Sequence, residues 1–158
     1  MREKDVEVLY YGGYSPEAAL IIRQALEHGY ELQLVAGDGI SQEDFALIAG
    51  PSSDGTLMTY PPVPANAQAA ELGRKFPDLV QPPFHTYAAF QVWGQAVEKA
   101  GTFETKAVAD ALRAGEFDTV LGRIGFDEKG DVTGYKTFVW SIWKDGKFAP
   151  VEPGKFTE

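Results

Sequence analysis

The chain has no cysteine among its 158 residues. That absence excludes disulfide staples, thiolate nucleophiles and thiolate metal sites. Histidine occurs only at His28 and His85. His28 falls at the end of a helical segment, where a cationic side chain favours the helix dipole. His85 follows Phe84 at a helix start, and a lone histidine is no catalytic set. No Ser-His-Asp pairing, G-x-S-x-G elbow, H-E-x-x-H or P-loop is present. These absences leave no enzyme-class motif, no metal site and no cofactor site in view. Basic residues number 14 against 23 acidic ones, for a net charge of -9. No Lys/Arg cluster stands ready to neutralise phosphates, which argues against a nucleic-acid partner. No apolar run approaches the length of a membrane span. The charged opening Met1-Arg2-Glu3-Lys4-Asp5 leads straight into an apolar strand and does not read as a signal peptide. The expectation is a cytosolic chain, or one whose leader was removed or never included.

What is present is a globular composition, 44% hydrophobic and 13% aromatic, with length enough for one ordinary domain. Val6 to Tyr10 reads as a buried strand, broken by Gly12-Gly13. Ser15 is the expected N-cap of a helix with Pro16 at N1, and Gly29 the expected stop. Leu32 to Ala36 is a second strand. Ser41 and Asp44 then have capping-box spacing before a short helix that ends at Gly50-Pro51. Thr56 to Tyr60 is a third strand. Strand and helix alternating with short connections predict a parallel βαβαβ unit. Right-handed crossovers place both strand-to-helix turns on one edge of the sheet.

Pro61-Pro62-Val63-Pro64 interrupts that pattern with an extended stretch, either a plain loop or a stiff crossing. Helices are expected over 65–76, over 86–100 and, capped by Thr102 or Thr105, up to Ala114. Pro82-Pro83 breaks the first two apart. The inward residues of the long helix are Ala89, Val92, Trp93, Ala96 and Val97. The remainder reads as β: 119–122, 124–126 and 137–143, with an Asp-Gly hairpin turn at 144–147 and a fraying tail. Asp127, Glu128 and Asp131 read as a solvated turn, since the ligand spacing of a calcium loop is absent. The three tryptophans read as core or lobe-packing residues.

Two turns carry the chemistry: Tyr10-Tyr11-Gly12-Gly13-Tyr14-Ser15-Pro16-Glu17 and Ala36-Gly37-Asp38-Gly39-Ile40-Ser41. They put Tyr14 and Asp38 at the C-terminal ends of successive strands, where open α/β sheets bind small ligands. Asp38 is either a carboxylate set to receive a ligand ammonium or a plain turn aspartate. Gly37-Asp38-Gly39 half-matches a dinucleotide fingerprint but has Gln42 where the third glycine belongs.

These turns occur in order with Ile48-Ala49-Gly50-Pro51, Gly55-Thr56-Leu57-Met58-Thr59, Thr86-Tyr87-Ala88-Ala89, Phe117-Asp118-Thr119-Val120-Leu121-Gly122 and Gly125 to Asp131. In this the chain resembles the leucine/isoleucine/valine-binding proteins, periplasmic substrate-binding components of branched-chain amino-acid ABC transporters. The resemblance implies an α/β fold with three-layer, parallel-sheet lobes of the type I periplasmic binding class, here truncated and ending in an antiparallel hairpin. It implies that 1–61 belong to the second ligand-binding lobe, 62–134 to the first lobe after a hinge crossing, and 135–158 to a return. Tyr14 and Asp38 map onto ligand contacts of the family, with Asp38 pairing with the α-ammonium of an aliphatic amino acid. Phe84 maps onto a pocket aromatic, at a spacing altered by Pro82-Pro83.

The family's tyrosine turn lies past the midpoint of a chain about twice as long, two lobes of ordinary domain size. The implied partners are the amino acid, bound weakly or not at all by this chain alone, and a membrane permease. Exposed sheet edges further imply a homodimer or pairing with the missing N-terminal half. The competing readings are a flavodoxin-like enzyme or sensor domain using Asp38, and an interaction module with no small ligand.

Overall fold

The computed structural model describes residues 2–77 and 83–151. The expected break at Pro82 and the tail beyond Val151 lie outside them. The described residues up to Tyr60 and from Phe138 onward form one compact unit, and Pro61–Thr137 form another.

In the first unit the strands are β1 (Val8–Tyr11), β2 (Gln33–Ala36), β3 (Leu57–Tyr60), β7 (Val139–Lys144) and β8 (Lys147–Pro150), hydrogen-bonded in the order β1-β2-β3-β7-β8. The first three run parallel, as the alternating pattern predicts, and β7 returns antiparallel to β3. α1 (Ser15–Glu27) and α2 (Glu43–Ala49) are the two crossovers and pack against each other. Strand order advances in one direction, so two right-handed crossovers put both helices on one face. Leu34, Ala36, Met58 and Trp143 of the strands and Phe45 of α2 are buried in one cluster, with the Phe45 and Trp143 rings 5.2 Å apart. Asp145 and Gly146 both adopt positive φ, the requirement of the tight turn that joins β7 to β8.

The second unit is helical first and antiparallel after. It comprises α3 (Ala67–Lys75), α4 (Pro83–Ala100), α5 (Thr105–Ala114), β4 (Glu116–Thr119), β5 (Gly122–Phe126) and β6 (Val132–Thr133). The strands form a sheet in the order β4-β5-β6. The stretch 119–122, expected as one strand, is instead a hairpin bend: Thr119 ends β4, Val120 and Leu121 form the turn, and Gly122 opens β5. Gly122 turns the chain there at φ +109, and the Thr119 hydroxyl donates to its carbonyl. Val92, Ala96, Val108, Phe117 and Ile124 make one core cluster. The outer backbone of β4 is finished by side chains of α4. The Val120 N–H donates to Gln91 Oε1 at 2.8 Å, while Gln95 and Lys99 donate to the carbonyls of Asp118 and Glu116. Spacing of four residues on a helix sets those three groups in a row.

Several caps differ from expectation. α1 has Tyr14, not Ser15, at its N-cap, and α2 has Gln42, with no side-chain cap bond at either. α5 is capped by Glu104, whose carboxylate accepts from the backbone N–H groups of Lys106 and Ala107. Trp93, expected inward, is 51% exposed, whereas Trp143 is buried. The Asp127 turn is as expected, its carboxylate accepting from the N–H groups of Lys129 and Asp131.

Candidate binding site at the sheet edge

Parallel pairing of β1, β2 and β3 brings the ends of all three strands to one edge. The turn after β1 carries Tyr14, 75% exposed. The turn after β2 is one turn of 3-10 helix, Asp38–Ile40, with Asp38 exposed and Ile40 fully buried. Burying Ile40 anchors this turn and leaves the preceding carboxylate in the open.

Two contacts lock the turns together. Gly39 packs so closely on the carbonyl of Gly13 that a Cβ there would collide with the oxygen. The same Cβ would lie 3.6 Å from Cδ1 of Tyr14, so the tyrosine ring lies beside the Asp38 turn. The second lock is Ser15, buried at 1% exposure, whose hydroxyl donates to the carbonyl of Gly39 at 3.4 Å. This explains why Ser15 is no cap. Its oxygen faces the neighbouring turn, not its own helix.

β3 adds a residue that sequence reasoning missed. Ala36 pairs with Met58, and Tyr60 ends β3 two residues further along. The Tyr60 ring packs edge-on against Phe148, with centroids 4.8 Å apart. Burial pushes its phenol above the ordinary value of 10. A hydrogen bond with Ser41 works the other way, and the Asp38 carboxylate adds to the rise. α2 begins one residue later than Ser41 would cap it, with Gln42 at its N-cap, so the expected capping box is not formed. A signal existed: an aromatic ending the third strand of a parallel set falls on the ligand-binding edge.

Phe84 is placed elsewhere. It lies in the second unit at 7% exposure, packed with Ala69, Leu72, Ala88 and Val120. Its ring packs within that cluster, and the pocket role that the resemblance implied for it stands as a proposal. The second unit also has an apolar groove of about 370 Å3, bordered by His85, Val92, Trp93, Phe126 and Tyr135 among others. Burial lowers the pKa of His85, whose ring meets the edge of Tyr135 at 5.7 Å. The groove's lining includes no carboxylate to pair with an ammonium, so the charged chemistry stays with Asp38. Among the described residues no group of acidic or histidine side chains could hold a metal ion, and no helix is long and apolar enough to cross a membrane.

A parallel sheet with a tyrosine and a carboxylate at its C-terminal edge has the features of an α/β small-ligand-binding protein. The chain belongs to the periplasmic binding protein family, whose model matches residues 1–147. It is 42% identical over 156 residues to Leu/Ile/Val-binding protein homolog 1 of Brucella suis, covering 94% of this chain and 42% of that protein. A Pseudomonas aeruginosa protein described as binding leucine, isoleucine, valine, threonine and alanine is 34% identical over 157 residues, covering 92% and 40%. The crystal structure of a leucine-binding protein from Thermotoga maritima superposes with a TM-score of 0.75 at 29% identity, covering 92% of this chain and 43% of the other. The fold is thus that of type I periplasmic binding proteins. The chain spans about two fifths of the length of these relatives.

Proposed function

We propose that this chain supplies part of the recognition surface of a substrate-binding protein for branched-chain or other aliphatic amino acids. The carrying observation is the locked pair of turns. Gly39 on Gly13 and Ser15 on Gly39 hold Tyr14 and Asp38 in one small area of the sheet edge. An α-ammonium brings three N–H donors and a positive charge, and a fixed carboxylate is the strong partner for both. The Tyr14 ring beside it offers a flat apolar wall for the ligand's carbon atoms. Relatives that bind leucine, isoleucine and valine support the ligand class.

The role is recognition, not catalysis. The enzyme or sensor alternative asks Asp38 for a titrating partner near neutral pH. Its neighbour Tyr60 is pushed the other way, above 10. In the assembled protein, we assign delivery to a membrane permease in the periplasm. The chain spans about two fifths of the length of its relatives, so we expect the isolated chain to bind leucine weakly or not at all. We assign Phe84 the pocket-aromatic role that the resemblance implies, to be read by Phe84→Ala in the joined protein.

The test joins this chain to the part of the Brucella relative that it does not span and compares leucine with 4-methylpentanoate, which lacks only the amino group. Binding of leucine at least a hundredfold tighter is expected, about 2.7 kcal/mol. Equal affinities would remove the ammonium from the account.

A further inference from the structure

The first unit has a groove of its own, about 470 Å3, between α2 and the β7–β8 hairpin. Topology sets its two ends. α2 begins with Glu43, just past the strand ends that carry Tyr14 and Asp38. The β7–β8 turn lies at the opposite end of the sheet, because the backbone of Trp143 exchanges hydrogen bonds with Gly55 and Thr56 at the start of β3. Lys147 follows that turn. The seven residues of α2 advance about 10 Å between those ends, at 1.5 Å each.

Three observations give the groove its chemistry. Trp143 borders it at 2% exposure, and its indole Nε1–H has no acceptor. A buried donor without a partner costs stability. The rings packed on the indole, Phe45 at 5.2 Å and Phe148 at 5.3 Å, offer no conventional acceptor, so the groove is where one can be supplied. Next, the groove carries one charge of each sign. Glu43 and Lys147 are both exposed, and among the described residues neither has an ion-pair partner. Finally, Ala46, Leu47 and Phe148 supply apolar wall, with Leu47 left 80% exposed.

We propose that this groove binds a short apolar peptide with free termini. The peptide ammonium goes to Glu43 and the carboxylate to Lys147. A backbone carbonyl of the peptide accepts from the Trp143 indole, and its apolar side chains lie against Leu47 and Phe148. An extended dipeptide spans about 7 Å. The long side chains of Glu43 and Lys147 cover the rest of the interval. A lone anion or cation fits less well, because it meets a like charge at one end of the groove. A free amino acid carries both charges on one carbon and cannot serve both ends.

The experiment titrates leucyl-leucine into this chain and follows the indole N–H resonance of Trp143 by NMR. Trp93→Phe and Trp140→Phe, at half-exposed positions, assign that resonance by elimination. The proposal predicts a saturable shift. N-acetyl-leucyl-leucine and leucyl-leucine amide should each bind about fivefold more weakly, the scale of one exposed ion pair. Glu43→Gln should erase the difference made by the acetyl group, and Lys147→Gln the difference made by the amide. Both positions are exposed, and circular dichroism of each variant confirms folding. Asp38→Asn should leave the titration unchanged, so its outcome is separate from that of the leucine test at the sheet edge. No shift of the indole resonance, affinities indifferent to the caps or to the two substitutions, or equal affinity for free leucine would each overturn the proposal.

Discussion

Along β4, Gln91, Gln95 and Lys99 of α4 reach the outer backbone and take up the hydrogen bonds that a neighbouring strand would make. Along β1, no described strand takes up the outer backbone, and the exposed face beside it is apolar. An edge left unpaired is a template for another chain, so proteins blunt it with covering side chains or charges. The second unit does so from its own sequence. The first unit does not, and its unfinished edge is the strand that leads into the Tyr14 turn. The difference teaches that the turns proposed for recognition belong to the unit whose edge strand stays open among the described residues.

Substitutions can break or sharpen that contrast. Phe117 is fully buried, lies 6.4 Å from Phe126 and sits beneath the Lys99 ammonium at 4.4 Å. Phe117→Ala removes the centre of the second unit's core and should cost about 3–5 kcal/mol in chemical denaturation. A much smaller loss would mean that this unit is not self-finished. Gly39→Ala forces a methyl against the Gly13 carbonyl and should cost about 1–3 kcal/mol. It should also weaken leucine binding in the joined protein, which a merely local strain away from the site would not do. Gln91→Leu leaves the buried N–H of Val120 without its acceptor and should cost about 1–3 kcal/mol. Protection of the Val120 amide in hydrogen exchange should fall with it, and an unchanged rate would show that α4 does not finish the β4 edge.

The smallest effect expected is with pH. Burial holds His85 below 6.5, so its charged form is disfavoured in the fold. The unfolded chain then binds more protons in acid, and stability rises with pH. The contribution is intact above pH 6.5 and is lost as pH falls through the lowered folded value. His85→Gln should flatten that acid limb. Tyr60 has the opposite sign. Its raised phenol contributes below pH 10 and loses that contribution as pH rises further. Tyr60→Phe should flatten the alkaline limb in thermal melts.

The parallel βαβαβ order and the placement of Tyr14 and Asp38 at one edge were legible because glycine breaks, Pro16 and strand-length apolar runs are local signals. What stayed hidden involved partners far along the chain. Ser15 has a cap's chemistry, yet its hydroxyl answers Gly39, 24 residues on. Ser41 and Asp44 have the spacing of a capping box, but α2 begins one residue later, with Gln42 at its N-cap. Helical periodicity put Trp93 inward, but the buried stripe of α4 follows Ala88, Val92 and Ala96, which turns Trp93 toward the rim of the groove. Phe84 shows the limit of such local signals. Position near a helix start marks a pocket aromatic and a core aromatic alike, and only packing distinguishes them.

The central claim is that Asp38, fixed by the locked turns, reads the ligand's ammonium. Calorimetric titration of leucine and 4-methylpentanoate into the joined protein, with and without Asp38→Asn, tests it most directly. The account predicts that the preference for leucine collapses in the Asn variant while 4-methylpentanoate binding barely changes. A preference retained in full would contradict it.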